Sequence, residues 1–291
     1  MVLNDKNRLV EIKCNFEFES CLDVYEFGLR SNGMYKVTNK NNQLVDRQCT
    51  LELKSCLDVY NLGYRESGHK HMIRKDDGQF QKKICYFNIK DCRKWKENGN
   101  KKDGKYLIHL PASGVKLVRC DMNTEEGGWI VMQRRFDGSV NFSRTWDEYR
   151  DGFGTLDGEF WLGNKYLHEL TGNTPHKWFF KATTFDGDVG TSSYTIFQVQ
   201  NEADNFKMTA HFNAGNSSLK DGLNFTSHDR LGSCSNKRGG FWQTSCESFH
   251  FYPNGEYKNQ ASVPPKTGIY WQKFKGDSTS MKETLMLIKE Y

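Results

Sequence analysis

Apolar residues in this chain come in short, mostly alternating stretches whose period changes along the sequence. Trp129-Ile-Val-Met-Gln-Arg-Arg-Phe136 reads as a strand, and Asp137-Gly138 behind it supplies a turn. Thr145-Trp-Asp-Glu148 has the capping-box pattern, with Trp146, Tyr149 and Phe153 at helical spacing, which predicts a helix. A second short helix is expected with Asn164 as its cap, Leu167 and Leu170 on its apolar face, and Gly172 ending it. Residues 177–185 and 194–199 look like strands flanking Asp186-Gly187, and 206–212 alternates as a further strand. The run Thr284-Leu-Met-Leu-Ile288 suits a central strand, and the Gly-rich stretch 213–240 must be loop. Strands mixed with a few short helices give an α+β class.

A longer period runs through the front half. The nine cysteines stand at 14, 21, 49, 56, 85, 92, 120, 234 and 246, and gaps of 7 residues alternate with gaps of 28 or 29 across the first seven. Self-similarity at 35 to 36 residues signals duplication. Ser20-Cys-Leu-Asp-Val-Tyr25 recurs as Ser55-Cys-Leu-Asp-Val-Tyr60, and glycines follow at Gly28, Gly63 and Gly99, then at Gly33, Gly68 and Gly104. The simplest pairing closes each long loop as Cys21–Cys49, Cys56–Cys85 and Cys92–Cys120, each removing roughly 3–4 kcal/mol of chain entropy from the unfolded state. A unit this small buries too little apolar surface to stand alone, so a covalent staple makes physical sense. Cys234 and Cys246 would close a shorter loop. The segments between closing and opening cysteines, 50–55 and 86–91, alternate in polarity and read as short strands or connectors. The resulting layout is 1–14 as the tail of a truncated repeat, 15–49 and 50–84 as two small disulfide repeats, and 85–291 as a larger domain.

Cys14 is left over. Two readings stand: its partner precedes residue 1 in a longer chain, or it cross-links a homo-oligomer. Zinc competes for these thiols, but no Cys-x₂-Cys pair exists, so disulfides are favoured, and with them an extracellular, secreted location. The first residues lack the apolar core of a signal peptide, which agrees with a truncated start.

Composition narrows the function. Aromatics make up 14% of the chain, enough to build a core from rings. No stretch of 18 apolar residues exists, so no helix is expected to span a membrane. Residues 1–120 carry 23 basic and 15 acidic side chains and residues 121–291 carry 18 and 21, without any basic run, which argues against nucleic acid. The metallohydrolase, serine-hydrolase and P-loop motifs are absent, and the thiols are committed to bridges, so no catalytic residue is expected.

The stretch from Cys120-Asp-Met-Asn-Thr-Glu-Glu-Gly-Gly-Trp129 to Trp146 resembles the fibrinogen C-terminal domain family. So do Tyr149-Arg-Asp-Gly-Phe-Gly154 through Asn164, Gly239-Gly-Phe-Trp242 with Cys246, Gly268-Ile-Tyr-Trp271 and Met281-Lys-Glu-Thr-Leu-Met286, a match covering roughly 85–291. The resemblance implies that family's fold: a small stapled subdomain, a mixed, mostly antiparallel sheet with short helices, and a loop-rich ligand subdomain. It implies disulfides at Cys92–Cys120 and Cys234–Cys246. It also implies a non-catalytic recognition protein that is lectin-like toward glycans or acetylated groups in innate recognition, or else a receptor ligand or matrix-adhesion module with a protein partner.

Two family sites can be traced. At the calcium loop, Asp229 fits the first carboxylate, but Leu231 stands where the second belongs and cannot ligate, so no cofactor is expected and Asp229 is free to pair with Arg230 or cap a turn. The ligand pocket would take Ser233 and Cys234 for its backbone wall, Phe241 and Trp242 as aromatics, and His250, Tyr252 and Tyr257 from the loop that follows. Three sequons open at Asn141, Asn216 and Asn224; Asn141 sits in a dense motif, leaving Asn216 and Asn224 as the glycosylation candidates.

Overall fold

The repeat of cysteine spacing becomes a repeat of hairpin register. The computed structural model describes residues 2–3, 9–10, 33–38, 43–49, 55–62, 67–75, 77–217, 219–230, 239–243 and 250–291. Cys14, Cys21, Leu231, Ser233, Cys234 and Cys246 lie outside them, and so do the pairings Cys21–Cys49 and Cys234–Cys246. Three antiparallel hairpins close with the same offset: Gly33 opposite Cys49, His69 opposite Cys85, and Gly104 opposite Cys120. Cys56–Cys85 and Cys92–Cys120 are bonded as the spacing predicts, with Cα atoms 5.4 and 5.6 Å apart.

The opening cysteine of each bonded pair starts a short helix, Cys56–Leu62 or Cys92–Glu97. Polar residues just ahead of them explain why. Ser55 Oγ accepts from Asp58 N and donates to the Asp58 carboxylate, while Asp91 accepts from Lys94 N. The link 86–90 has no regular structure, but its alternation is real: Phe87 and Ile89 are buried between exposed neighbours.

The chain divides into two compact units, Met1–Phe87 and Asn88–Tyr291. Cys85, bonded to Cys56, falls in the smaller one. The sheet of the larger one runs, in spatial order, Phe153–Gly154, Phe160–Trp161, Trp129–Arg135, Met281–Glu290, His176–Thr184, Val189–Val199 and Met208–Gly215, all antiparallel. The hairpin Gly104–Leu110 with Gly114–Asp121 joins through Cys120 opposite Ile130 and Asp121 opposite Trp129. The last strand in sequence is the central one in space, so Met286, Leu287 and Ile288 are fully buried.

The helix Trp146–Asp151 carries the full capping box between Thr145 and Glu148. The helix Asn164–Thr171 departs from expectation: Gly163 caps it at φ 113°, and Asn164 is its first helical residue. The Asn164 side chain accepts from the Trp161 indole instead, a bond that the buried ring nitrogen needs. Gly172 ends the helix as predicted, in right-handed rather than left-handed geometry.

Candidate functional site

At one end of the larger unit, two minimal ladders hold the loops in which the sequence placed a ligand. Phe225–Thr226 pairs with Phe241–Trp242, and Phe251–Tyr252 pairs with Tyr270–Trp271. Both are built from rings because two-residue ladders have few hydrogen bonds and need packing to hold them. Trp242 meets Trp161, Phe197 and Phe225 at ring separations of 5.9, 5.7 and 5.2 Å, and its indole donates to Phe206 O at 2.8 Å. Phe251 packs on Phe180 and Phe241.

These contacts change the reading of three candidate residues. Phe241, Trp242 and Tyr252 are 1%, 4% and 2% exposed, so they are core rather than the wall of an open pocket. An aromatic ring suits either environment, and the neighbouring rings decide it. Tyr252 also positions backbone, since its hydroxyl donates to Gly239 O at 2.8 Å. His250 is exposed, with its ring hydrogen-bonded to the Gln272 side chain. Tyr257 is half-buried and donates to Phe136 O at 3.0 Å, packing over the turn at Gly138. Ser233 and Cys234 lie outside the described residues; of the five expected pocket residues that are described, His250 and Tyr257 retain exposed surface.

A buried polar chain ties these loops to the sheet. Thr284 donates to Gln133 Oε1, Gln133 Nε2 donates to Pro253 O and Asn254 Oδ1, and Asn254 Nδ2 donates to Gly240 O at 2.8 Å. Gln133 and Asn254 are fully buried, so every one of these bonds replaces one that water would supply. Gly239 and Gly240 must be glycine: a Cβ on Gly239 would collide with Asn254 O, and one on Gly240 would lie 2.7 Å from Thr226 O.

Beside this chain, Arg135 and Glu159 form an ion pair at 3.3 Å, 1% and 0% exposed. Glu159 Oε1 accepts the backbone N–H of Phe136, Asp137 and Gly138 at 2.7, 3.1 and 3.0 Å, and Oε2 accepts Val140 N at 3.3 Å. Arg135 donates onward to Gly255 O at 3.0 Å and lies 3.9 Å over the Phe142 ring. Burial lowers the guanidinium pKa, and Glu159 opposes that shift. Sequence reasoning missed this pair, since nothing near Thr155-Leu-Asp-Gly-Glu159 marks its carboxylate as buried.

Asp229 joins a different pair of segments. Its carboxylate accepts Ser227 Oγ at 2.7 Å and Trp146 N at 2.8 Å, so it anchors the 227–230 turn to the start of the Trp146–Asp151 helix. Burial opposes its ionisation, but these donors hold it below the usual carboxylate range. Of the two fates expected, turn capping is the one adopted. Arg230 turns elsewhere, with its guanidinium 4.0 Å over the Trp146 ring and 3.6 Å from Glu202. Among the described residues no group of three His, Cys, Asp or Glu side chains is placed to hold a metal ion, and no helix is long and apolar enough to cross a membrane. Asn224 is exposed, Asn216 half-buried, and Asn141 exposed beside the buried Phe142.

The model of the C-terminal globular domain of fibrinogen beta and gamma chains matches residues 88–291. Mouse angiopoietin-related protein 2 is 33% identical over 216 residues, which cover 69% of this chain and 43% of that protein. Human ficolin-3 is 34% identical over 216 residues, covering 70% of this chain and 72% of that protein. The chain thus spans less than half the length of the angiopoietin-related relative. The fibrinogen-like globe domain of human ANGPTL2 superposes with a TM-score of 0.65 at 31% identity, covering 69% of this chain and 99% of that one. Lamprey fibrin D-dimer, complexed with the peptide Gly-His-Arg-Pro-amide, gives 0.64 at 29% identity, covering 71% and 74%.

Proposed function

The chain belongs to the fibrinogen C-terminal domain family, and from that premise we propose that it is an extracellular protein that recognises glycans through the loops spanning 227–260. Domains of this family are recognition modules without catalytic activity, and the unit Asn88–Tyr291 is such a module. The observation that carries the proposal is the buried chain Thr284–Gln133–Asn254–Gly240 with the Tyr252–Gly239 bond, which fixes both ladder ends before any ligand arrives. Loops held on a rigid frame bind with less ordering cost, as recognition loops require. The stapled cysteine pairs support the oxidising location.

The test is retention of the purified chain on immobilised N-acetylated glycans with competition by free N-acetylglucosamine. Exposed His250 is the residue to change, because His250→Ala leaves the core intact. Binding that falls about tenfold or more in His250→Ala at unchanged melting temperature supports the assignment, and indifference to EDTA fits a site without metal. A second reading, a protein partner on a flat surface, is favoured by the burial of Phe241, Trp242 and Tyr252, which withholds three ring faces from sugar stacking. Blank glycan arrays together with a partner protein recovered by cross-linking would establish it instead.

A further inference from the structure

The strand Gly114–Asp121 and the segment 151–162 line a cleft of about 230 Å³, with Lys116, Leu117, Asp151, Phe153 and Leu156 among its lining. We propose that Lys116 is a carbonyl-reactive amine, a covalent attachment site for aldehyde-bearing molecules that enter this cleft.

The argument is one of unequal partners. The Lys116 ammonium lies 3.5 Å from the centroid of the Tyr166 ring, and among the described residues it makes neither a hydrogen bond nor an ion pair. A second ammonium, that of Lys165, sits 4.9 Å from the same ring. Two like charges thus share one aromatic ring, and only one of them has a carboxylate. Asp151 Oδ1 accepts from Lys165 at 2.7 Å, and its other oxygen accepts from Arg150 at 2.8 Å. Glu169, the remaining carboxylate nearby, is occupied by Ala112 N at 3.0 Å, Ser113 N at 2.9 Å and the Ser113 hydroxyl.

Lys116 is half-buried, so water makes up the deficit only in part. Its least costly relief is to lose a proton. Burial first, then the charge of Lys165, bring it down to about 8, with Glu169 pulling the other way. At pH 7 about a tenth of such an amine is neutral, against less than roughly a thousandth of an ordinary lysine.

The neutral amine is the nucleophile. Its lone pair attacks the aldehyde carbon to give a carbinolamine, which loses water. The net change is amine plus aldehyde to imine plus water, with no oxidant or reductant. The cleft admits the carbonyl compound from either source: Leu117, Phe153 and Leu156 line it together with Asp151, Gly152 and Gly154, so both apolar and polar surface lie beside the amine.

The intact chain is incubated at pH 7 with hexanal or with glyceraldehyde, trapped with cyanoborohydride, and each lysine's initial rate is read by peptide mapping. Exposed Lys273 is the internal reference. Lys116 is expected to react about tenfold faster or more, with the advantage shrinking toward pH 10 as ordinary lysines deprotonate, and Lys116→Arg should remove that fast adduct alone. Faster capture of hexanal points to a lipid aldehyde as the source, and faster capture of glyceraldehyde to a reducing sugar. Reaction of Lys116 no faster than Lys273 with both aldehydes overturns the proposal.

Discussion

Glu159→Gln tests how the fold holds the loops proposed to bind ligand. In the native protein one carboxylate oxygen accepts three backbone N–H groups, and the other accepts Val140 N and Arg135 Nε. A glutamine keeps one acceptor. Its best orientation leaves the oxygen with the three amides and turns an NH₂ against Val140 N and Arg135, which are both donors. Arg135 is then a buried charge without a counter-ion, at 1% exposure, with Gly255 O and the Phe142 ring still beside it. Removing one member of such a pair costs about 3–5 kcal/mol. For a unit of roughly 200 residues, at about 2–4 °C per kcal/mol, the melting temperature should fall by roughly 6–20 °C. Arg135→Met should be milder, about 1–3 kcal/mol, because the Glu159 carboxylate keeps its four amide donors while the ion pair, the bond to Gly255 O and the contact on Phe142 are lost. The double variant should cost at least about 1 kcal/mol less than the sum, since the orphaned cation is gone. Urea and thermal unfolding of the four proteins measure all three quantities. If Arg135→Met costs as much as Glu159→Gln, or the two effects add, the nest of amides is not what stabilises the carboxylate and the reasoning fails.

Trp242→Ala should destabilise the larger unit by about 3–5 kcal/mol, because a ring that is 4% exposed leaves a cavity among aromatic neighbours; calorimetry showing an unchanged melting temperature would contradict the core assignment. Cys92→Ser with Cys120→Ser should cost about 2–5 kcal/mol in the same unit, read as a lower urea midpoint than wild type under non-reducing conditions. The Asp151 carboxyl, held down to about 2 first by Arg150 and then by Lys165, contributes stability that is present above pH 4 and is lost as pH falls toward 2. That contribution is under about 1 kcal/mol, because the side chain is 44% exposed. Carboxyl chemical shifts followed from pH 5 to pH 1.5 should place its midpoint at about 2, and a midpoint near 4 would refute the pairing.

Local signals in the sequence proved sound at the Trp146–Asp151 helix and at two of the stapled loops. Thr145 and Glu148 announce their helix because capping links groups only three residues apart, and the Asp137-Gly138 turn and the stapled 56–85 and 92–120 loops announce themselves by spacing. Asn164 shows where such reading misleads. An asparagine ahead of apolar helical spacing suits a cap, yet the Trp161 indole claims its oxygen, and Gly163 takes the cap at a φ that asparagine would adopt only with strain. The site is harder still, because its bonds join distant segments. Asp229 meets Trp146 across 83 residues and Gln133 meets Asn254 across 121, distances over which a single sequence carries no pairing signal.

Aromatic residues add a second ambiguity. Phe241 and Trp242 have the chemistry of a sugar platform and of a core in equal measure, and only the arrival of Phe206, Phe225 and Trp161 around them resolves it. Under the proposed function, that resolution moves the burden of recognition from the rings to what they support. The Gly239-Gly240 pair is pinned by Tyr252 and Asn254, and the loops on either side depart from fixed points. Gly239→Ala is therefore the substitution that separates frame from surface. It adds one methyl group against Asn254 O, alters no exposed side chain, and should still reduce ligand binding and the melting temperature together. His250→Ala should reduce binding alone. If the two variants behave alike in both assays, the loops are not held by the sheet, and ligand recognition does not depend on a frame built in advance.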